Sequence, residues 1–320
     1  RAESELVKRA SDHHAPHLNY LAAARAAQRQ AAPDRRDHYL RLAALNSPQH
    51  EFATLLSQAD LQRKRGEFEA TRDTALKLRA KDSRHPFAIE LLAESHAALC
   101  EWAALRELLL EPASTGAIIA QRREQLMSRA LRELMQQAID DARLPVLKAL
   151  WDAAGSHRDD REVRHVYVRG LARLNADSEA LALIAQALSV DWDGDLALLY
   201  GDLHANDPIG QLATVEQWLA LYGEKPELLQ VAGHVCLANR LWGKARSYLE
   251  AVIAIAPTPK AYLDLARLCA DTQQAGKPAH QDGIEIERPE TFTEPQIGKV
   301  VANVFARVVG ALTGCHVDHD

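Results

Sequence analysis

Glycine, proline and aromatic residues are all scarce in this sequence of 320 residues, and these shortages exclude several kinds of fold. There are 15 glycines and 13 prolines, and aromatic residues make up 5% of the chain, which is too little turn chemistry for a fold with many strands. The composition is 47% hydrophobic, which is enough to bury a core and excludes a disordered chain. Alanine, leucine, arginine and glutamate dominate, and these residues favour helices. We therefore expect an all-α protein.

Several chemical signatures are also missing. The four cysteines (Cys100, Cys236, Cys269 and Cys315) are widely separated, with no C-x-x-C spacing, so the sequence predicts neither a zinc site nor a disulfide framework. No two glycines have G-x-G spacing, and G-x-S-x-G, H-E-x-x-H and phosphate-binding loop motifs are absent. We therefore expect no enzyme activity, no metal, no cofactor and no nucleic-acid partner.

The chain contains no run of eighteen apolar residues, so no bilayer-crossing segment is predicted within it. Because it begins at Arg1, we expect that an N-terminal segment of the natural protein is missing. The net charge of −6 is uneven, with +5 on residues 1–85 and −11 on the remainder. A basic N-terminal end is compatible with anionic lipid, with an acidic partner, or with a solvated helix face.

A repeat of about 34 residues organises the chain. Phe68 and Trp102 stand one such period apart, and each opens an apolar-periodic run that follows another amphipathic stretch. The clearest unit is 227–257, in which small, aromatic and proline residues recur at fixed offsets. Small residues permit close helix approach, an aromatic residue fills the space between hairpins, and proline ends a helix. The residues predicted to pack the repeats are Phe68, Trp102, Ala180, Gly233, Trp242, Ala245, Leu249 and Pro257.

These patterns predict a right-handed α-solenoid of tetratricopeptide-like hairpins over residues 1–272, irregular around 112–158 and 192–222. Residues 273–293 read as a linker and 294–314 as an amphipathic helix with an apolar row. That helix could cap the solenoid, contact a second chain as a homodimer, or lie on a membrane.

The segments 19–27, 36–43 and 239–250 resemble the HemY proteins of proteobacteria, and the resemblance covers residues 1 to about 271. It implies a tetratricopeptide scaffold associated with heme or tetrapyrrole biosynthesis. It also implies an N-terminal membrane anchor absent from this chain, an inner-membrane location, and partners such as ferrochelatase. The basic N-terminal end favours the cytoplasmic side. A heme or porphyrin carrier is the main alternative. A porphyrinogen-oxidising enzyme is a further one, although the chain lacks the glycine turn of a flavin-binding unit.

In such an array the first helix of each pair lines the inner wall, so the phasing also predicts which residues bind a partner. The predicted groove runs from basic to acidic, which would give a bound peptide a preferred direction. Its residues are Asn19, Arg29, Gln30, Asp60, Arg63, Lys64, Glu90, Glu94, Glu227, Gln230 and His234.

Fourteen histidines leave heme binding open. His13, His14 and His17 cluster before the first predicted helix, while His234 and Cys236 point to different sides of one helix. Cys315, His316 and His319 have ligand-like spacing but lie at the chain end, where a fortuitous cluster is the simpler interpretation.

Overall fold

The computed structural model describes residues 2–11 and 16–275, and in these residues all regular structure is helical. The predicted all-α fold class is therefore confirmed. The chain divides into two compact units, Arg1–Tyr167 and Val168–Asp320. This boundary was not predicted, and it falls inside a helix, Arg161–Arg173.

The first unit is a succession of helices that pack mainly on their neighbours in sequence. Short 3₁₀ turns at Pro48–His50 and Gly155–Asp159 precede two of them. The helices are α1 (Ala2–Ser11), α2 (Pro16–Arg29), α3 (Pro33–Asn46), α4 (Glu51–Lys64), α5 (Phe68–Lys81), α6 (Pro86–Ala98), α7 (Trp102–Leu110), α8 (Ser114–Ala117), α9 (Ala120–Asp140), α10 (Leu144–Asp152) and the start of α11 (Arg161–Arg173).

The second unit continues in the same manner, with α15 packing on both α13 and α16. Its helices are the end of α11, α12 (Asp177–Val190), α13 (Gly194–Asp202), α14 (Pro208–Tyr222), α15 (Pro226–Ala238), α16 (Trp242–Ile255) and α17 (Pro259–Ala275). The last of these extends slightly past the predicted end of the array at 272. The rest of the predicted linker and the predicted helix at 294–314 lie outside the described residues.

None of the helices in residues 2–11 and 16–275 combines the length and the apolar character needed to cross a bilayer.

Within residues 2–11 and 16–275, one turn type joins the two helices of six hairpins. In each, the residue two positions before the second helix has a left-handed backbone. The N–H of the residue after it donates to the carbonyl five residues earlier, near the end of the first helix, as in the Schellman motif. Glu101 N, for example, donates to His96 O at 2.9 Å. The left-handed residues are Ala31, Gly66, Cys100, Ala142, Asn175 and Arg240.

The spacing of these turns explains both the repeat and its irregularities. Ala31, Gly66 and Cys100 follow one another at intervals close to the repeat length. The interval is longer between Cys100 and Ala142, where the short helix α8 is inserted. Between Asn175 and Arg240 lies one pair, α13 and α14, joined by a different loop in which the Asp207 carboxylate accepts from Gly210 N at 3.0 Å.

A left-handed backbone costs a residue with a Cβ roughly 1 kcal/mol, and glycine avoids that cost. We expect Ala142→Gly to raise the free energy of unfolding by about 1 kcal/mol, because Ala142 is exposed and has a φ of 54°. The same change at exposed Ala149, inside α10, is expected to lower it by about 1 kcal/mol. Urea unfolding of both variants measures the two changes in the free energy of unfolding. If both variants were stabilised, or both destabilised, the left-handed backbone at Ala142 would be contradicted.

The residues predicted to pack the repeats lie at helix starts and helix contacts. Phe68, Trp102 and Trp242 are the first residues of α5, α7 and α16. Ala180, Ala245 and Leu249 are fully buried in the second unit, and Pro257 follows the end of α16. A Cβ on Gly233 would stand 2.8 Å from Leu249 Cδ2, so α15 and α16 pack closely at this point.

Candidate functional site

The first helices of successive hairpins, here called A helices, contact each other through polar side chains in the first unit. Arg63 Nη1 of α4 lies 3.6 Å from Glu94 Oε2 of α6, and Arg122 Nη1 of α9 lies 4.0 Å from Glu90 Oε1 of α6. The acidic groups of the central helix α6 are therefore paired on both sides. We call the row formed by Asp60, Arg63, Glu90, Glu94 and Arg122 the first A-helix face.

Asp60 ties two of the predicted basic residues together. Its carboxylate accepts from Lys64 Nζ at 2.7 Å and from Arg63 Nη2 at 3.3 Å. Burial alone would raise the pKa of Asp60, but the hydrogen bonds from Lys64 and Arg63 outweigh burial and hold the pKa below its usual value. Asp60 is therefore ionised at neutral pH and orients both cations.

This pairing changes the charge pattern expected for the wall. The sequence predicted basic residues on α4 and acidic residues on α6. In the structure each of these charges lies beside a charge of opposite sign. The residue missing from the prediction is Arg122, which follows Glu90 by slightly less than one repeat and pairs with it. That distance along the chain was the signal that could have revealed it.

The remaining predicted groove residues of the first unit belong to α2 and its turn. Asn19 is half-buried, whereas Arg29 is exposed at the end of the helix. Gln30 Oε1 accepts a hydrogen bond from Arg35 Nη2 at 3.0 Å across the α2–α3 turn, so this side chain helps to fix the hairpin.

In the second unit three A helices meet at His234. His234 Nε2 lies 2.8 Å from Asp264 Oδ2 of α17, and His234 Nδ1 lies 3.2 Å from Asp202 Oδ1 of α13. Gln230 Nε2, one turn earlier on α15, donates to the same Asp264 oxygen at 3.0 Å. We call Asp202, Gln230, His234 and Asp264 the second A-helix face.

The electrostatics of this cluster favour a charged imidazole. Burial alone would lower the pKa of His234, but the hydrogen bonds to Asp202 and Asp264 outweigh burial and raise the pKa to about 9. For Asp202 the hydrogen bond from His234 is the main cause of its lowered pKa. Burial of Asp264 opposes ionisation, yet the same histidine and Gln230 hold its pKa below the usual value. At neutral pH a histidinium is therefore held between two carboxylates.

Of the second face, the sequence singled out Gln230 and His234 and missed Asp202 and Asp264. Asp264 follows Gln230 by one full repeat, and Asp202 precedes His234 by slightly less than one. A search at the repeat spacing from Gln230 and His234 would therefore have identified both aspartates. The third residue predicted in this unit, Glu227, packs elsewhere. A Cβ on Gly194 would lie 3.3 Å from Glu227 Cγ, which shows that this side chain covers the start of α13.

Two of the groups that the sequence left open as heme ligands, His234 and Cys236, do not fit that role. A ligating imidazole needs a free lone pair, whereas both nitrogens of His234 contact carboxylates. Cys236 is buried, and burial raises the pKa of its thiol to about 11, so it is not a thiolate at neutral pH. Cys315, His316, His319, His13 and His14 lie outside the described residues.

The chain is similar in sequence to a group of named proteins. No family model matches it. It is 25% identical over 284 residues to Protein HemY of Escherichia coli K12, a match that spans 87% of this chain and 69% of that protein. The HemY proteins of Escherichia coli O157:H7 and Shigella flexneri match to the same extent.

Solved structures of three repeat or chaperone proteins also align with the chain. A tetratricopeptide repeat protein from Parabacteroides merdae aligns over 83% of this chain and 98% of its own, with 13% identity and a TM-score of 0.32. The tetratricopeptide domain of P58(IPK) aligns over 82% and 80%, with 12% identity and a TM-score of 0.28. The assembly chaperone of RpL4 (Acl4) aligns over 92% and 97%, with 13% identity and a TM-score of 0.23.

The match to Protein HemY extends along most of the chain, as the motifs at 19–27, 36–43 and 239–250 predicted. The chain is therefore similar to the HemY proteins over most of its length.

Proposed function

We propose that the chain is a protein-binding scaffold that holds segments of partner proteins against its A-helix faces. The observation that supports this is the set of polar contacts between successive A helices, from Arg63–Glu94 to His234–Asp264. Hairpin arrays present the surface of these helices to ligands. Side chains that are already held by neighbours lose less conformational entropy when a partner binds.

The resemblance to HemY proteins gives this proposal its biological direction. We propose that the partners are enzymes of heme or tetrapyrrole biosynthesis, such as ferrochelatase. We further propose that the scaffold works on the cytoplasmic side of the bacterial inner membrane, held by an N-terminal anchor outside this chain. Binding rather than catalysis is the proposed activity. Heme carriage through His234 is disfavoured, because both of its ring nitrogens are engaged.

A charge-swapped pair tests the scaffold function with little risk to folding. Glu90 and Arg122 are each nearly half exposed and face each other. The double variant Glu90→Arg with Arg122→Glu keeps an ion pair but reverses the order of charge on the first A-helix face. We expect affinity capture of the full-length protein from cells, quantified by mass spectrometry, to recover heme-pathway enzymes with the wild type. We expect recovery to fall about tenfold with the swap, as for a charge reversal within an interface.

The single variant Lys77→Glu, which changes the charge of an exposed residue on the second helix α5 and away from this face, is the matched control and should retain the partners. If heme-pathway enzymes are absent from the wild-type capture, the pathway assignment is wrong. If they are present and the swap retains them, the A-helix face is not the binding surface.

A further inference from the structure

Helix α10 carries apolar side chains both on the side that packs into the protein and on a side that does not. Its residues are all apolar except Lys148 and Asp152. Leu147 and Trp151 are its buried residues. A helix that is apolar nearly all round is normally enclosed by other elements. Here a second stripe, Pro145, Val146, Ala149, Leu150 and the following Ala153, is exposed or only partly buried.

This stripe lines a groove, and Arg106 of α7 lines it as well. The groove has a volume of about 340 Å³ and is lined by Pro145, Val146, Ala149, Leu150, Ala153 and Arg106. The stripe positions follow the helical spacing i, i+1, i+4, i+5 and i+8, so they lie along one side of α10. Both helices are second helices of their hairpins, so the groove is separate from the first A-helix face. We call it the α10 groove.

Arg106 is the charged residue of this groove, and it is uncompensated. Several arginines of the first unit are paired, as Arg72 is with Glu101, Arg79 with Glu111 and Arg132 with Glu162, whereas Arg106 has no such partner among the described residues. Within the part of the chain that the structure describes, Arg106 makes no hydrogen bond or ion pair. A half-buried guanidinium beside apolar side chains is well placed to bind a carboxylate, since charge-assisted contacts strengthen where water is excluded.

We propose that the α10 groove binds an amphipathic helix of a partner protein that carries acidic residues. Its apolar face would lie on the stripe from Pro145 to Ala153, and one of its carboxylates would pair with Arg106. Apolar anchors at helical spacing on a groove between two helices are the pattern by which amphipathic helices dock. The unpaired arginine selects the charge of the occupant. This proposal concerns a different surface from the proposed scaffold function and does not depend on it.

Two synthetic peptides test the proposal with the full chain. Both are helical, about five turns long, and carry the same leucine and alanine stripe. One has glutamate flanking the stripe, and the other has lysine at the same positions. We expect fluorescence anisotropy to show binding of the glutamate peptide and binding of the lysine peptide weaker by about tenfold. Arg106→Glu should invert this preference, and Val146→Asp should weaken both peptides.

The control is Leu45→Asp, which places the same charge on an exposed aliphatic residue of α3, 76% exposed, in the same unit. It should leave both affinities unchanged, and circular dichroism should show that all variants keep their helices. Equal binding of the two peptides, or unchanged binding after Val146→Asp, would overturn the proposal. So would a wild-type dimer that Val146→Asp dissociates, or vesicle binding that Val146→Asp removes, because a second copy or a lipid surface would then be the occupant.

Discussion

Replacing Gly233 by valine is expected to lower the free energy of unfolding by about 3 kcal/mol, near the upper end for overpacking in a core. The cause is the approach of α15 to α16. A Cβ at this position would stand 2.8 Å from Leu249 Cδ2 and 2.9 Å from Leu249 Cγ, and Leu249 is fully buried. Neither side chain can move aside without displacing the core of the second unit.

The matched control is Gly243→Val on α16, where an added Cβ meets no heavy atom within 4 Å. We expect this variant to change the free energy of unfolding by at most about 0.5 kcal/mol. Combining Gly233→Val with Leu249→Ala should cost less than the sum of the single changes, because the smaller residue makes room for valine. Urea unfolding at equilibrium measures the wild type and all of these variants. Equal stabilities of Gly233→Val and Gly243→Val would contradict close packing at Gly233.

Stability of the second unit is expected to fall as the pH rises from 6.5 to 9, because of His234. The pKa of this histidine is about 9 in the folded chain, above its ordinary 6.5. The folded state therefore holds the proton more tightly than the unfolded state. The resulting stabilisation is complete below pH 6.5 and is lost as the pH passes through about 9. A shift of this size corresponds to about 3 kcal/mol.

Several charged groups surround His234, and their own titration restricts the pH range in which its effect on stability can be measured. Asp202 of α13 and Asp264 of α17 contact it directly. Lys260 acts on both carboxylates, and Arg267 Nη1 lies 3.6 Å from Asp264 Oδ1. Asp202 and Asp264 have lowered pKa values, so the stabilisation they provide is lost at the acid end, as the pH falls below the ordinary value of 3.8.

Urea unfolding at intervals from about pH 5 to pH 9 measures the expected decline. The range stops at pH 9 because the buried Cys236 thiol, whose pKa is raised to about 11, adds its own loss of stability above its ordinary value of 9.0. His234→Gln, which cannot be protonated, should give a nearly flat profile. A wild-type profile as flat as that of His234→Gln would contradict a histidinium held between two carboxylates.

Local features of the chain made the fold predictable. Helix-favouring composition, apolar periodicity and a near-constant repeat length all depend on residues close in sequence, and they correctly indicated an all-α fold. The first residues of second helices were predictable for the same reason, since Phe68, Trp102 and Trp242 begin α5, α7 and α16. The recurring turn was only partly visible, because alanine, cysteine, asparagine and arginine occupy left-handed positions where glycine is expected.

The candidate sites were less predictable, because they depend on which residues of different repeats meet. Phasing placed Arg63 and Glu94 on the inner face of their helices, yet only the folded chain shows that they pair with each other. Asp264 in isolation looks like an ordinary surface carboxylate, but it is 2% exposed and contacts both Gln230 and His234.

The sequence by itself determined that this protein is built from helical hairpins and which known proteins it resembles. The tertiary structure alone decided that the wall charges are mutually paired, that His234 is held in its charged form, and that Arg106 beside α10 is left without a partner in the described part of the chain. The physical reason is the range of the forces. Helix formation and turn geometry are fixed by near neighbours in sequence, whereas pairing, burial and pKa depend on groups from different repeats that only packing brings together.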